Sequence, residues 1–238
     1  MAEIGFSTGA LAKGDLARAV ATAVAAGVKV LELSALRTTE LPSLESFVSQ
    51  ADLSSFNFIA LHAPADFTAD QEADVVARLH RIADNRPWPI VIHPDRICDY
   101  ALWRGFSSQL CVENMDRRKS IGRYMTDLNA IFDDLPEARF CLDIAHARQV
   151  DPSMTECYRM LRRFRNRLCH LHLSGVATSS KHEALSFAFL FAFRRFASAL
   201  PVNVPVVLET PVDAAGAREQ IARAHEMFGD PGANGATV

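Results

Sequence analysis

No stretch of the chain approaches the roughly 18 consecutive apolar residues that a bilayer-spanning helix needs, so no membrane partner is expected. An excess of positive charge is missing too. The 25 Lys and Arg are outnumbered by 28 Asp and Glu, for a formal net charge of -3. No global basic field therefore draws nucleic acid, and any such contact would have to come from a local patch. Cysteine is scarce: the five are odd in number, scattered, and sit mostly inside apolar runs, which points to a reducing compartment rather than a disulfide framework. No charged-then-apolar leader precedes Glu3-Ile4-Gly5-Phe6-Ser7, and the expectation is a soluble, cytoplasmic protein. Linkers, short repeats and low-complexity domains are lacking as well.

What is present is apolar and regular. The chain has 238 residues, 49% of them hydrophobic, against about 250 for a typical barrel of alternating strands and helices. Strands are expected at 3–8 and 28–33, and then at the runs ending in His62, His93, Glu113, Asp143, His172 and Glu209. Helices are expected from Gly14-Asp15 to Gly27, and near 42–51, 70–83, 97–106, 120–135, 152–166, 183–199 and 213–228. Asp151-Pro152 reads as the cap and first turn of the sixth of these strand-linked helices. Eight strand–helix units in strict alternation imply a parallel sheet, and that number suggests closure: an α/β fold, a single (β/α)8 TIM barrel over 1–228. Residues 229–238 read as a flexible C-terminal tail. The helix holding Phe187, Phe189, Leu190, Phe191, Phe193 and Phe196 is apolar on nearly every side. It is either buried by surrounding loops or a homodimer face.

Six strands finish in residues that bind metals. Phe58-Ile59-Ala60-Leu61 runs into His62, and Pro89-Ile90-Val91-Ile92 into His93. Leu110-Cys111-Val112 leads to Glu113-Asn114, and Phe140-Cys141-Leu142 to Asp143 with His146 beyond. Cys169-His170-Leu171 leads to His172, with His182 in the following loop, and Val206-Val207-Leu208 to Glu209. Alternation points Ala60, Val91, Cys111, Cys141, His170 and Val207 the same way one layer lower, where the inside of a closed barrel wants small or apolar side chains. His170 is placed to support His172, while His80 and His225 read as surface residues. The C-terminal ends of the strands are where such barrels carry their chemistry. Gathering this many imidazoles and carboxylates in one mouth is costly unless they pair or coordinate cations. Mixed His and carboxylate donors suit Zn, Mn or Fe alike.

The ordered runs LHAP, VIHPD, VENM, LDIAHA, HLHLS and VLETP resemble the xylose isomerase-like barrel superfamily over nearly the whole chain, and within it endonuclease IV. That resemblance implies one zinc held by His62, His93 and Glu113, and a second held by Glu113, Asp143, His172 and Glu209 with Glu113 bridging. A third would use His146, His182 and an Asp, but the chain reads Ser180-Lys181-His182 there, so two ions are expected rather than three. The activity so implied is metal-dependent hydrolysis of a phosphoester, with Glu113, Glu209 and His146 as catalytic residues and Arg117, Arg148 and Lys181 as substrate contacts. DNA itself fits poorly, because the chain leaves little room for long gripping loops and has few basic residues near the mouth. The dense Arg159, Arg162, Arg163, Arg165, Arg167 series reads as a solvated helix face away from it. The epimerase and isomerase branch resembles the chain at Glu113, Asp143, His172 and Glu209, with one metal and a Glu pair exchanging a proton at carbon. An iron-dependent oxygenase is a third reading. A barrel that only binds a partner would leave the donor set unexplained.

Overall fold

The protein is described by a computed structural model covering residues 2–201 and 203–228; the tail expected at 229–238 lies outside them. In chain order the strands are β1 (Ile4–Ser7), β2 (Val30–Ser34), β3 (Phe58–His62), β4 (Ile90–Ile92), β5 (Leu110–Glu113), β6 (Arg139–Asp143), β7 (Leu168–Leu173), β8 (Gly175–Val176), β9 (His182–Glu183) and β10 (Val206–Leu208). β1 to β7 and β10 close into a parallel barrel in the order β1-β2-β3-β4-β5-β6-β7-β10, with β10 paired back to β1, while β8 and β9 form a small antiparallel hairpin. The fold is a single (β/α)8 TIM barrel. The register sets Asp143 opposite His172, while Glu113 lies opposite Cys141, two residues before the end of β6.

The helices are α1 (Thr8–Ala12), α2 (Leu16–Ala25), α3 (Leu41–Gln50), α4 (Glu72–Ala83), α5 (Tyr100–Arg104), α6 (Met125–Asp134), α7 (Ile144–Val150), α8 (Thr155–Phe164), α9 (Phe187–Ala197) and α10 (Ala214–Phe228). Their inner faces pack on the outward side of the strands in one continuous apolar core. Val91, Cys111, Cys141 and Cys169 make a separate small cluster packed against Phe58. β1 passes very close to β2: a Cβ on Gly5 would overlap the Val30 carbonyl oxygen, so only glycine permits that approach.

Local differences from the sequence reading have physical causes. α1 and α7, at 5 and 7 residues, are too short to show a period; each begins at a cap on the last residue of a strand, Ser7 accepting from the Ala10 N–H and Asp143 from the His146 N–H. α8 starts at Thr155, not near Pro152, because Met154 takes a left-handed φ of 62° that breaks the turn. Asp151 still caps it, accepting from the Glu156 N–H at 2.9 Å. α5 is half its expected length because the loop before it is held by a buried carboxylate, Glu72, which accepts from the Cys98 and Asp99 N–H groups and from Trp103 Nε1.

α9 divides its aromatics. Phe193 and Phe196 are buried in the core, while Phe187 and Phe191, one turn apart, are each 74% exposed. The basic series on and after α8 is largely engaged: Arg159 pairs with Glu156, Arg163 donates to Asn129, and Arg165 and Arg167 donate to backbone carbonyls. No helix among the described residues is long and apolar enough to cross a membrane.

Candidate metal centre

Glu113 is the hub. It ends β5, is buried, and turns its two oxygens to different partners. Oε2 lies 3.3 Å from His62 Nε2 and 3.2 Å from His93 Nε2. Oε1 lies 3.3 Å from His172 Nδ1 and 3.4 Å from His146 Nδ1. His62 is set for this by its own backbone: Nδ1 donates to the Ala63 carbonyl at 2.8 Å, which leaves Nε2 facing inward.

Asp143 divides its carboxylate as well. Oδ1 accepts the His146 N–H at 2.6 Å and starts α7; Oδ2 is buried without a hydrogen-bond partner. Asn114 fixes this strand end, accepting from the Asp143 N–H and donating to the Asp143 carbonyl, at 2.8 and 2.9 Å. Just past the end of β10, two strands round from β6, Glu209 Oε2 stands 3.5 Å from His172 Nδ1 and 3.7 Å from His182 Nε2. Three donor sets form here, the ligand atoms of each within 4.8 Å of one another: His62, His93 and Glu113; Glu113, Asp143, His172 and Glu209; and Glu32, His62, His172 and Glu209. The first two could each hold a cation, with Glu113 common to both.

One member of this site escaped the sequence reading. Glu32, in the middle of β2, is fully buried and accepts from His172 Nε2 at 2.9 Å, with His170 Nε2 at 3.5 Å. It rather than His170 is the hydrogen-bond partner of His172; the two imidazoles only face each other, tilted, with centroids 5.3 Å apart. The signal was available. In Val30-Leu31-Glu32-Leu33-Ser34, alternation puts Glu32 on the barrel's inner face, where a carboxylate needs a partner.

Electrostatics in the metal-free chain follow from this crowding. For Glu113, burial works to raise the carboxyl, but His172, His146 and His62 outweigh it and hold the pKa well below its ordinary value. Glu32 is likewise lowered, burial being overcome by His172 and His170. Asp143 goes the other way, to about 6, because burial and the neighbouring Glu209 and Glu113 charges outweigh His146. Burial opposes protonation of His62 and His146, yet Glu113 and Glu32 raise the first to about 9, and Asp143 and Glu113 raise the second to about 10. Protons therefore balance the buried carboxylates.

The remaining expected residues are less concentrated. The rings of His146 and His182 lie 5.6 Å apart, but among the described residues neither belongs to a set of three converging donors. His182 Nδ1 is 2.8 Å from Ser174 Oγ, and Ser180, in the place of the missing Asp, donates to Gln149 Oε1 at 2.6 Å. Arg117 is exposed and donates to the Thr178 carbonyl, Lys181 is exposed on the hairpin loop, and the Arg148 guanidinium lies over the rings of Phe189 and Phe193. Of the other basic residues near the mouth, Arg96 and Lys119 pair with Asp95, and Arg118 with Asp116.

A scan against family models finds none that matches, and no curated protein matches the chain. Solved structures do. Endonuclease IV from Thermus thermophilus superposes with a TM-score of 0.63 at 20% identity, covering 94% of this chain and 99% of its own. The apo form of a 3-keto-D-glucoside 4-epimerase from E. coli gives 0.60 at 13%, covering 93% and 98%. An L-ribulose 3-epimerase gives 0.57 at 14%, covering 97% and 89%. At these identities the likeness is one of fold alone, the closed (β/α)8 barrel.

Proposed function

We propose that the protein is a divalent-metal-dependent hydrolase of a phosphoester, working with two ions at the barrel mouth. The observation that supports it most is the orientation of Glu113, whose two oxygens each face a separate donor set. A carboxylate so placed suits a bridge between two cations. Asp143 Oδ2 and Glu209 Oε2, buried and without a hydrogen bond among the described residues while imidazole nitrogens stand 3.4 to 3.7 Å away, fit the same reading, since buried acceptors are rarely left unmet. Zinc suits the mixed His and carboxylate donors, as would manganese or iron.

His62, His93 and Glu113 would hold one ion; Glu113, Asp143, His172 and Glu209 the other. Divalent ions there would supply Lewis-acid polarisation of a phosphoryl oxygen and acidify a water for attack. The chain's own contribution is positional. Glu32 orients His172 through Nε2, Ala63 orients His62, and Asn114 and the α7 cap fix Asp143. His146, buried beside Asp143 and Glu113, carries a proton at neutral pH in the metal-free chain and is the group placed to exchange one with a leaving oxygen. Arg117, Arg148 and Lys181 lie on or against the loops round the hairpin and are the candidate contacts for the substrate's charge.

A second reading has its own support. The set Glu113, Asp143, His172 and Glu209 closes without His62 or His93, which is what a one-metal epimerase or isomerase of a sugar would use, and epimerases are among the similar folds. Elemental analysis of protein purified without added metal, run beside a phosphoester and ketose screen, separates the two. The hydrolase reading expects at least two zinc per chain and phosphoester turnover that His62→Ala abolishes. One exchangeable manganese or cobalt, with ketose conversion persisting in His62→Ala, would replace it by the epimerase; stoichiometric iron with colour would point to an oxygenase.

A further inference from the structure

A second donor layer lies beneath the mouth. Cys111, Cys141 and His170 stand two residues before Glu113, Asp143 and His172 on the same strands, so they share the inner face one layer lower. The sulfurs of Cys111 and Cys169 and a ring nitrogen of His170 lie within 4.8 Å of one another, all buried; Cys141 forms a second such trio with His170 and His172. His170 is the unexplained group. It is fully buried; among the described residues neither ring nitrogen makes a hydrogen bond, although Nε2 stands 3.5 Å from the Glu32 carboxylate. A buried ring nitrogen left without a hydrogen bond costs about 1–3 kcal/mol, and Val91 in the same cluster shows what ordinary barrel filling looks like.

We propose that Cys111, Cys169 and His170, with Cys141 as the fourth donor, form a thiolate-rich metal site inside the barrel, taking a thiophilic ion such as zinc. Tetrahedral zinc with Zn–S near 2.3 Å sets its donors about 3.5–3.8 Å apart; Cys111, Cys169 and His170, already within 4.8 Å of one another, would draw in slightly, and Cys141, packed in the same cluster, would turn toward them. Three thiolates around a divalent ion leave one negative charge. Arg139, the register partner of Cys111 at the foot of β6, has a buried Nε that makes no hydrogen bond among the described residues, so its positive charge would offset that excess. Cys169, at the foot of β7, keeps 8% of its surface open. Donor softness sorts the layers: thiolates below, nitrogen and oxygen above. This site does not depend on the reading of the mouth.

X-ray absorption on the reduced, zinc-loaded, full-length protein tests it directly. A zinc–sulfur shell is expected beside the nitrogen and oxygen shell. Cobalt substitution should add a near-ultraviolet thiolate-to-cobalt charge-transfer band that survives His62→Ala and is lost in Cys111→Ser. A nitrogen/oxygen shell alone in the wild-type protein overturns the proposal without need of any variant. So does a Cys111–Cys169 disulfide that persists in zinc-containing buffer, or a cobalt band unchanged by a folded Cys111→Ser.

Discussion

Glu72, Glu113 and Asp143 are buried and Glu209 is partly so, yet Glu72 and the carboxylates of the mouth are treated in opposite ways. Glu72 sits at the start of α4 with three N–H groups aimed at it from one loop and from Trp103, and it ties that loop to the barrel wall. Glu113, Asp143 and Glu209 sit among other acids and imidazoles, with donors that are themselves titratable and with oxygens left unmet. A carboxylate satisfied by fixed backbone and indole donors has a single stable state and serves the fold. One balanced by exchangeable protons can trade them for cations, so its environment is poised rather than settled.

The sharpest way to break that contrast is to remove charge without shape. Glu113→Gln should lower phosphoester turnover by at least ~10³-fold, equal to about 4 kcal/mol, and reduce bound metal as measured by elemental analysis. Near pH 10, where the protons that Glu113 holds on His62 and His146 are largely gone from both, the metal-free variant should melt no lower than the metal-free parent. Glu72→Leu should do the reverse. Stranding Trp103 Nε1 in a dry site and freeing the loop should cost about 3 kcal/mol in denaturant unfolding, with turnover per folded molecule and metal content kept. If Glu113→Gln lost stability and kept its metal, the two carboxylates would be alike after all.

This distinction also explains what the sequence could tell. The barrel was legible because each strand is a short apolar run and each helix shows its period between turn residues. The strand-end donors were legible because alternation carries six of them to one rim. Glu32 was hidden by its place in mid-strand, away from the ends where ligands were sought, although its burial inside a barrel was deducible. Glu72 looked like any acidic residue in a helix's first turn, since its three donors come from residues 98–103, far from it in sequence. The hairpin of β8 and β9 has only two residues a side, too few for any pattern. Nor could motif order tell that Arg148 lies on the rings of α9.

A pH series sharpens the comparison at smaller amplitude. His62 and His146 have folded pKa values raised to about 9 and about 10, so their contribution to stability is fully present below 6.5 and lost as pH rises through those values. Asp143, raised to about 6, contributes below its unfolded value near 4 and loses that contribution as pH climbs through 6. All three act in one direction. The melting temperature of the metal-free protein should therefore fall between pH 6 and 10 by the equivalent of a few kcal/mol. With metal bound the slope should shrink or reverse, because the cations replace those protons. Equal slopes with and without metal would show that protons and cations do not share the mouth.

The smallest expected effect tests the edge of the site. Ser180, buried with a φ of 59°, occupies the position where the resemblance implies an aspartate, and its hydroxyl is spent on Gln149. Aspartate tolerates this left-handed backbone better than most residues. In Ser180→Asp a carboxylate joins His146 and His182, whose rings already lie 5.6 Å apart. Calorimetric titration should then show one weaker equivalent of zinc more than the parent binds, while the affinity of the parent's own sites changes less than about threefold, or ~0.7 kcal/mol. If the variant took up no more zinc than the parent, a missing carboxylate would not be what limits the mouth to a pair of ions.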